Sequence, residues 1–398
     1  MSRTESAHAR YRTQLLALAD EDVVPGAVAE AGRRWGWPEE AAWARTHERF
    51  DPDEEPYATC VLTGVSSPQR LVRVEAFAAE QSRADADAFL APAGAAGRLR
   101  VTGSLSDPAL PALATVRGGP GRRTVVRYRP GRRCTIRVED DGRIRFAKIF
   151  PDGEGAAAHA AGLEVWRAAC RGELEFGVAR PAVLEPGGRV VWQEGVEGEP
   201  LRERLYGEGG DELAGRVGRA AASLARSRLR PLARRDAATE LARSARRCAE
   251  LVHRVPGLRE DAHRLLRGLE ALHAAAGTTQ LRPVHGALHA SQWLVDGSQL
   301  ALLDYDRVAL GDPELDAATF LADVDVQNRE RVPVERLNAA FLAGYGEAGR
   351  LDPALLAAYR AHRRLEKALR VARAIRPDGD RKAARRLRRA LECLGGAA

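Results

Sequence analysis

Residues Val284–Asp306 read VHGALHASQWLVDGSQLALLDYD, a loop followed by two apolar runs. The runs, Gln292–Asp296 and Leu300–Tyr305, flank an Asp-Gly pair, a pattern that predicts a β-hairpin with a tight turn. If the turn centres one residue after that pair, Gln292 and Asp304 face each other at the open end of the hairpin. Cross-strand Cβ atoms lie about 4.5–5.5 Å apart. An amide oxygen and a carboxylate at that spacing suit one hard cation, which prefers oxygen ligands.

The composition is that of a soluble globular protein with more than one domain. The chain has 398 residues, of which 45% are hydrophobic and 29% are charged, enough for two or three separate cores. No apolar run approaches the roughly 20 residues of a membrane span, and the first residues lack the apolar segment of a signal peptide. We therefore expect a cytoplasmic protein that binds no membrane. The five cysteines are scattered without a C-x-x-C pair, which indicates neither a disulfide framework nor a zinc site.

The charge pattern favours small anionic ligands over nucleic acid. The net charge is +7 and the pI is about 9.4, but the basic residues are spread out and aromatic residues make up only 5%. A basic patch with aromatic residues for nucleic acid is therefore not indicated, and what remains is a mild attraction for ligands such as nucleotides. Of the 62 basic residues only Lys148, Lys367 and Lys382 are lysines. A lysine inside an apolar strand is then a candidate for a specific role.

Periodicity predicts the other elements. Residues 1–48 are Ala-rich with helical spacing, which predicts helices, and Pro25-Gly26 is a candidate break between them. Helices also predominate after Leu201, apart from the hairpin, and continue to the basic C-terminal run. Tight turns punctuate the strands between these regions. The predicted strands are 57–64, 71–77, 98–102, 134–139, 144–150, 182–185 and 189–193, with a helix over 154–171.

The loop and hairpin resemble the catalytic core of the aminoglycoside phosphotransferase family, the small-molecule branch of the protein-kinase-like fold. That family usually reads H-G-D, four residues and then N, followed later by a hydrophobic residue, Asp, an aromatic residue and an acidic residue. A G-D-P-x-x-D segment comes next, and here it reads GDPELD over residues 311–316. The matching positions are His285, Gly286, Asp304, Tyr305 and Asp306.

Two positions depart from the family pattern. Ala287 stands where the family has its catalytic aspartate, and Gln292 stands where it usually has asparagine. Glutamine still offers an amide oxygen, whereas alanine cannot accept a proton. His289, two residues after Ala287, is the candidate substitute base, although its side chain could equally face solvent. We expect His285 to brace the loop through a backbone hydrogen bond; a packed core histidine is the overlapping alternative.

The resemblance implies roles in binding ATP and Mg²⁺. Gln292 and Asp304 become the Mg²⁺ ligands, and Lys148 becomes the ammonium that holds the α and β phosphates. The alternative for Lys148 is the solvated face of an edge strand. Glu164 becomes the ion-pair partner of Lys148, with Glu154 as the second choice and a solvated helix glutamate as the alternative.

Three further segments take positions that the resemblance suggests. The turn before the strand at 134 carries Arg132 and Arg133, either of which could touch phosphate or simply form an exposed basic turn. Glu194 and Val196 mark the expected hinge between lobes, where backbone groups meet an adenine edge. Asp316 is expected to support the His285 loop from the following helix.

These features predict an α+β, bilobal, protein-kinase-like fold, with an N-terminal antiparallel sheet lobe and a mainly helical C-terminal lobe. The expected division is a helical extension over 1–55, a nucleotide-binding lobe over 56–194 and a C-terminal lobe over 195–398 that carries the hairpin 284–306. One functional hypothesis is an ATP- and Mg²⁺-dependent phosphotransferase acting on a hydroxyl of a small molecule or peptide. The other is a catalytically impaired pseudokinase that binds nucleotide and serves as scaffold or allosteric partner in a biosynthetic complex, including a peptide-modifying one.

Overall fold

The protein is described by a computed structural model of residues 13–395, except 38–39, 41, 52–55, 67–69, 78–87, 95–96, 104–106, 231–232, 278, 328–333 and 348. Backbone contacts group the chain into two compact units. The first comprises Met1–Gly155, Leu184–Trp192 and Arg370–Lys382, and the second comprises Ala156–Val183, Gln193–Leu369 and Ala383–Ala398. The sequence-based division at residues 55 and 194 follows chain order only. The backbone contacts also assign Leu184–Trp192 and Arg370–Lys382 to the first unit.

The strands are β1 (Trp43–Phe50), β2 (Ala58–Gly64), β3 (Leu71–Phe77), β4 (Ala88–Pro92), β5 (Arg98–Thr102), β6 (Arg122–Arg129), β7 (Arg133–Asp140), β8 (Arg143–Ile149), β9 (Gly177–Val178), β10 (Pro181–Leu184), β11 (Val190–Glu194), β12 (Glu199–Pro200), β13 (Arg234–Arg235), β14 (Arg282–Val284), β15 (Trp293–Asp296), β16 (Gln299–Leu302) and β17 (Ala309–Gly311). The α-helices are α1 (Val23–Arg34), α2 (Leu113–Gly118), α3 (Glu154–Cys170), α4 (Leu201–Arg204), α5 (Gly210–Arg226), α6 (Ala237–Arg254), α7 (Arg259–Ala276), α8 (Glu314–Gln327), α9 (Val334–Gly346), α10 (Pro353–Ala372) and α11 (Gly379–Gly395). No helix among the described residues combines the length and the apolar character needed to cross a bilayer.

Two five-stranded antiparallel sheets carry most of the strands. The first has the order β1-β2-β3-β5-β4, and the second has the order β10-β11-β8-β7-β6. On the first sheet, Val24 and Val28 of α1 share an apolar core with Val72 and Val101. Alternation places these strand side chains on one face, because successive residues of a strand point to opposite faces. The sequence predicts a single N-terminal sheet, whereas the structure divides these strands between two sheets, because the way strands pair is not read from their individual patterns.

The second sheet contains the Asp-Gly hairpin predicted between residues 139 and 144. Strands β7 and β8 pair with Asp140 opposite Arg143, and Asp141 adopts a φ of 47° in the turn. A left-handed aspartate beside a glycine is the usual chemistry of a two-residue hairpin turn. Ile136 and Ile149 are buried in the core beneath this pair. Burial alternates along β7 as predicted, whereas the last three residues of β8 are all buried.

The second unit is mainly helical and holds the loop and hairpin on two small sheets. The sheets have the orders β12-β15-β16-β9 and β13-β17-β14. Trp293 of β15 is fully buried and meets Phe176 edge-on at 5.5 Å between ring centres. Phe320 of α8 stacks on Phe341 of α9 at 4.4 Å. The hairpin is therefore anchored in the main core of this unit by its first residue.

The prediction of helix over 1–48, of which residues 1–12, 38–39 and 41 lie outside the described part of the chain, is wrong at its C-terminal end. Residues 43–50 form β1, which pairs antiparallel with β2. Helix α1 also runs through Pro25-Gly26 without a break. Pro25 lies in the first turn of α1, where the missing N–H costs no hydrogen bond within the helix.

Candidate functional site

The hairpin that carries the candidate metal ligands pairs one residue out of the predicted register. Trp293 lies opposite Leu302 and Asp296 lies opposite Gln299, so the turn is centred between Gly297 and Ser298. Continuing that register would place Gln292 opposite residue 303 and not 304. The Leu303 N–H indeed donates to the Gln292 carbonyl oxygen at 2.9 Å.

Gln292 and Asp304 nevertheless come together, because the backbone of Asp304 leaves the ladder. Asp304 has a φ of 67°, and among the described non-glycine residues only Asp141 shares this left-handed conformation. The Gln292 Nε2 atom lies 3.3 Å from Asp304 Oδ2. An L-residue pays about 1–2 kcal/mol for left-handed backbone. Strain that persists in a structure marks a position that its surroundings hold firmly.

The turn before the hairpin is held by a buried carboxylate. The His285 N–H donates to Asp316 Oδ2 at 2.5 Å and the Gly286 N–H donates to Asp316 Oδ1 at 2.9 Å. Burial raises the pKa of Asp316, and these two backbone bonds and the charge of Arg235 act in the opposite direction. The supporting role predicted for Asp316 is confirmed.

Gly286 is required at this turn for two reasons. Its φ is 74°, and a Cβ atom would lie 2.4 Å from the Arg307 carbonyl oxygen. A side chain would therefore collide with backbone that cannot easily move. The Gly286 carbonyl oxygen accepts a hydrogen bond from Arg235 Nη1, so both polar groups of this residue are satisfied.

Arg235 belongs to a buried ion network that the sequence did not indicate. Its Nε and Nη2 atoms donate to Glu240 Oε1 at 3.0 and 2.7 Å, and Glu240 Oε2 accepts from Arg363. Glu240 is fully buried. Burial raises its pKa, but the charges of Arg363 and Arg235 outweigh that and hold it below its usual range. With 59 arginines in the chain, nothing in the sequence singled out these two.

His285 is entirely buried and braces the loop against the hairpin. Its Nε2 atom lies 2.9 Å from the Leu303 carbonyl oxygen, which is the backbone contact predicted for this residue. The ring also meets Tyr305 edge-on at 5.8 Å. Burial lowers the pKa of His285, so the neutral imidazole is favoured. The packed-core alternative and the bracing role thus describe the same placement.

Ala287 and His289 follow on a tight turn. The His289 N–H donates to the Ala287 carbonyl oxygen at 2.8 Å, and the Gln292 N–H donates to the His289 carbonyl oxygen at 2.9 Å. Ala287 is partly exposed. The His289 side chain is 32% exposed, and its Nδ1 atom lies 3.6 Å from Asp323 Oδ1. The loop, His289 as the candidate base and the two candidate metal ligands therefore all lie in the second unit.

Lys148 and Arg133 lie in the second sheet of the first unit. Lys148 is on β8, the central strand, and is 8% exposed, so the alternative of a solvated edge strand is wrong. The turn before Arg133 is fixed by Asp107, whose Oδ2 accepts from the Gly131 N–H at 2.8 Å. The Arg133 guanidinium lies 6.0 Å from the centre of the Phe150 ring. Their phosphate-binding roles stay predictions.

The three remaining predicted residues lie in the second unit. Glu164 is in an exposed ion pair with Arg167 at 2.8 Å, one turn along α3, and its pairing with Lys148 stays a prediction. Glu194 pairs with Arg180, and its N–H donates to the Arg180 carbonyl oxygen at 2.9 Å. Glu194 and Val196 follow directly after the chain passes from the first unit to the second.

The donors at 292 and 304 fit a divalent cation of the Mg²⁺ type. A carboxylate and a side-chain amide are hard oxygen ligands, and Mg²⁺ is usually held by one or two carboxylates plus substrate phosphates. The amide oxygen and nitrogen of a glutamine exchange places by a simple flip, so the contact at 3.3 Å is compatible with either orientation. The part of the chain that the structure describes contains no group of three or more His, Cys, Asp or Glu that would form a complete protein cage.

Comparisons with known proteins identify the family and the fold of this chain. A model described as "Phosphotransferase enzyme family" matches residues 132–364, more than half of the chain. No curated protein sequence matches it. Among solved structures, a mutant of aminoglycoside 2′-phosphotransferase-IIIa in complex with GDP matches 72% of this chain and 96% of its own, with a TM-score of 0.53 and 15% identity.

Two other solved structures show similar coverage. A choline/ethanolamine kinase family protein from Mesorhizobium loti matches 72% of this chain and 92% of its own, with a TM-score of 0.51 and 16% identity. An aminoglycoside-3′-phosphotransferase of type VIII is 28% identical over 63% of this chain and 96% of its own, with a TM-score of 0.49. The similarity to the aminoglycoside 2′-phosphotransferase-IIIa mutant and to the choline/ethanolamine kinase family protein, both with TM-scores above 0.5, confirms the predicted α+β, protein-kinase-like fold. The sequence match over more than half of the chain shows that this chain belongs to the phosphotransferase enzyme family.

Proposed function

We propose that this protein binds ATP with Mg²⁺ and transfers the γ-phosphate to a hydroxyl group of a small molecule or peptide. In this proposal Gln292 and Asp304 hold the cation, Lys148 binds the α and β phosphates with Glu164 as its partner, and Arg133 contacts phosphate. Backbone groups at Glu194 and Val196 face the adenine. The protein's part in such a transfer is mainly positioning and neutralisation of charge.

One observation carries the proposal. The Gln292 amide lies 3.3 Å from the Asp304 carboxylate, although the strand register alone would not pair them and Asp304 adopts a left-handed backbone to reach this position. The preceding turn is fixed at both backbone N–H groups by Asp316. A carboxylate and a side-chain amide held together beside a rigid turn support cation binding, and Mg²⁺ supplies charge neutralisation for the phosphates when bound.

The replacement of the family's catalytic aspartate by Ala287 favours a second candidate function. A pseudokinase would keep the nucleotide site and lose transfer, because a positioned base contributes about 10²–10⁴-fold to rate. Such a protein would act as a scaffold or allosteric partner of another protein. Ala287 is partly exposed, so an aspartate can be introduced there without burial of its charge.

Titration of the purified full chain with ATP and with GTP, each with and without Mg²⁺, tests the shared part of both candidates. Calorimetry should show nucleotide binding that Mg²⁺ strengthens in the wild type. Absence of binding under both conditions would end both candidates.

Transfer from γ-labelled nucleotide to a panel of aminoglycosides, amino alcohols and hydroxyl-bearing peptides then separates them. The proposal expects labelled product with the wild type. If the wild type binds nucleotide but transfers nothing, and Ala287→Asp gains turnover, the pseudokinase is the correct function.

A further inference from the structure

His289, the partly exposed histidine of the loop, lies beside the buried carboxylate of Asp323. That carboxylate in turn pairs with the buried ammonium of Lys367. Resting on the proposed function, we propose that His289 accepts the proton of the substrate hydroxyl, and that Asp323 and Lys367 are the positioning residues that fix its imidazole. This assigns the task of the missing aspartate to a side chain two residues further on, supported from α8 and α10.

The first support is the burial and direction of the imidazole. His289 Nδ1 is buried and has no hydrogen-bond partner within reach among the described residues. The side chain as a whole is 32% exposed. The charged acceptor facing this nitrogen is Asp323 Oδ1 at 3.6 Å. A hydrogen bond of this kind often tightens only when substrate is bound. The geometry leaves Nε2 as the nitrogen that can meet a ligand.

The second support is the way in which Asp323 is held. Its Oδ2 accepts the Ala290 N–H at 3.2 Å, and its Oδ1 lies 3.4 Å from Lys367 Nζ. Lys367 Nζ also donates to the Ala322 carbonyl oxygen at 2.5 Å. Burial alone raises the pKa of Asp323, but the neighbouring imidazole of His289 and the charge of Lys367 outweigh it and lower that pKa to about 2. The carboxylate is therefore ionised at neutral pH.

The third support is the rarity of lysine. Lys367 is one of three lysines among 62 basic residues, and it is 6% exposed. A compact ammonium can be buried against one carboxylate and one carbonyl oxygen, whereas a guanidinium presents five donors in a fixed fork. The choice of lysine here fits a site built to hold one carboxylate oxygen.

In the proposed reaction the carboxylate of Asp323 orients the imidazole of His289. Asp323 accepts from Nδ1–H, which makes Nε2 the basic nitrogen. As the hydroxyl oxygen bonds to the γ-phosphorus, the bond from that phosphorus to the β–γ bridging oxygen breaks and its electron pair leaves with ADP. The hydroxyl proton passes to His289 Nε2, and Asp323 stabilises the imidazolium that forms.

A test that needs no activity is the tautomer of His289. Nitrogen NMR of the full chain labelled at histidine, with His289→Gln to assign the signal, should show Nδ1–H in the wild type at pH 8. Asp323→Asn should move the population toward Nε2–H. An Nε2–H tautomer in the wild type, or no change in Asp323→Asn, would overturn the pairing. If Asp323→Asn does not fold, Lys367→Met, which leaves the carboxylate in place, should broaden or shift the same signal.

The transfer assay tests the proton-accepting role separately. His289→Gln should lower kcat by about 10²-fold or more while Mg²⁺-dependent nucleotide binding is retained, and Asp323→Asn should lower kcat by a smaller factor. His263→Gln, on the exposed side of α7, is the matched control and should leave kcat unchanged. Full activity in His289→Gln would overturn the role. If the wild type transfers nothing, the role falls with the proposed function, and the tautomer alone decides whether the pair exists.

Discussion

At the scale of single residues, Asp304 combines a charge with a strained backbone. Its left-handed φ of 67° brings the carboxylate beside Gln292. Asparagine tolerates that conformation better than other non-glycine residues, whereas alanine gains nothing locally to offset the strain. Substitution of Asp304 by asparagine removes only the charge, whereas substitution by alanine removes the charge and also leaves the backbone strain without a local compensation.

We expect Asp304→Asn to abolish the effect of Mg²⁺ on nucleotide affinity with little loss of stability. Asp304→Ala should abolish the same effect and also cost about 1–2 kcal/mol in the free energy of unfolding. Calorimetric titration with and without Mg²⁺ measures the first quantity, and urea denaturation measures the second. Retention of the Mg²⁺ effect in both variants would remove Asp304 from the cation site.

Asp316 offers a second prediction at this scale. Its two oxygens accept the N–H groups of His285 and Gly286 in a fully buried setting. Asp316→Asn keeps the shape but replaces one acceptor by a donor, which leaves a buried N–H unsatisfied at a cost of about 1–3 kcal/mol. Hydrogen exchange at the amides of 285 and 286 should accelerate. Unchanged protection at these amides would contradict the supporting role.

At the scale of elements, three helices of the second unit meet at a pair of buried histidines. His362 of α10 lies 2.6 Å from Ser244 Oγ of α6 through Nδ1 and 2.9 Å from His273 Nε2 of α7 through Nε2. Burial lowers the pKa of His362 well below its usual value, and burial lowers that of His273 too. Both rings are therefore neutral in the folded protein at neutral pH.

This pair makes stability depend on pH below about 6.5, the usual pKa of histidine. The unfolded chain takes up protons there that the folded chain refuses, so the contribution is complete above that pH and is lost as the pH falls. Each such histidine adds a slope of about 1.4 kcal/mol per pH unit. His362→Gln should reduce the slope of unfolding free energy between pH 6.5 and 5.5 by up to that amount. An unaltered slope in urea denaturation at these pH values would contradict the assignment.

At the scale of the whole molecule, the first sheet and a late chain segment lie outside the region that matches the family. That match covers residues 132–364, whereas β1–β5 end at Thr102 and the segment 370–382 follows it. The Phe50 N–H donates to the Arg373 carbonyl oxygen at 2.8 Å, and Ile375 is buried in the core of the first sheet. The core of the first sheet, β1–β5, is thus completed by the segment 370–382 from the other end of the chain.

Ile375→Ala tests this closure. Removal of a buried isoleucine side chain costs about 2–5 kcal/mol, and hydrogen exchange in β1–β3 should accelerate accordingly. Ile144→Ala is the matched control, since Ile144 is 40% exposed and surface changes stay within about 0.5 kcal/mol. Equal effects of the two substitutions would show that the late segment does not stabilise the sheet.

The sequence predicted the elements wherever a local signal and the tertiary environment agree. The Asp-Gly turns fixed two hairpins, because left-handed turn residues flanked by alternating apolar residues allow few other conformations. The HG…DYD…GDPELD order identified the protein-kinase-like fold, and the rarity of lysine picked out Lys148, which the structure buries on a central strand. Each of these patterns is formed by residues that are close together in the sequence.

The tertiary structure alone decided what depends on partners distant in the chain. The sequence predicts helix where β1 lies, because only the pairing of β1 with β2 makes this segment a strand. The register of the hairpin was predicted one residue out, and the Gln292–Asp304 contact was restored by a backbone twist at Asp304. The supports Arg235 and Asp323 were missed because burial gives an ordinary charged residue its role, and burial is decided by the packing of helices far apart in sequence.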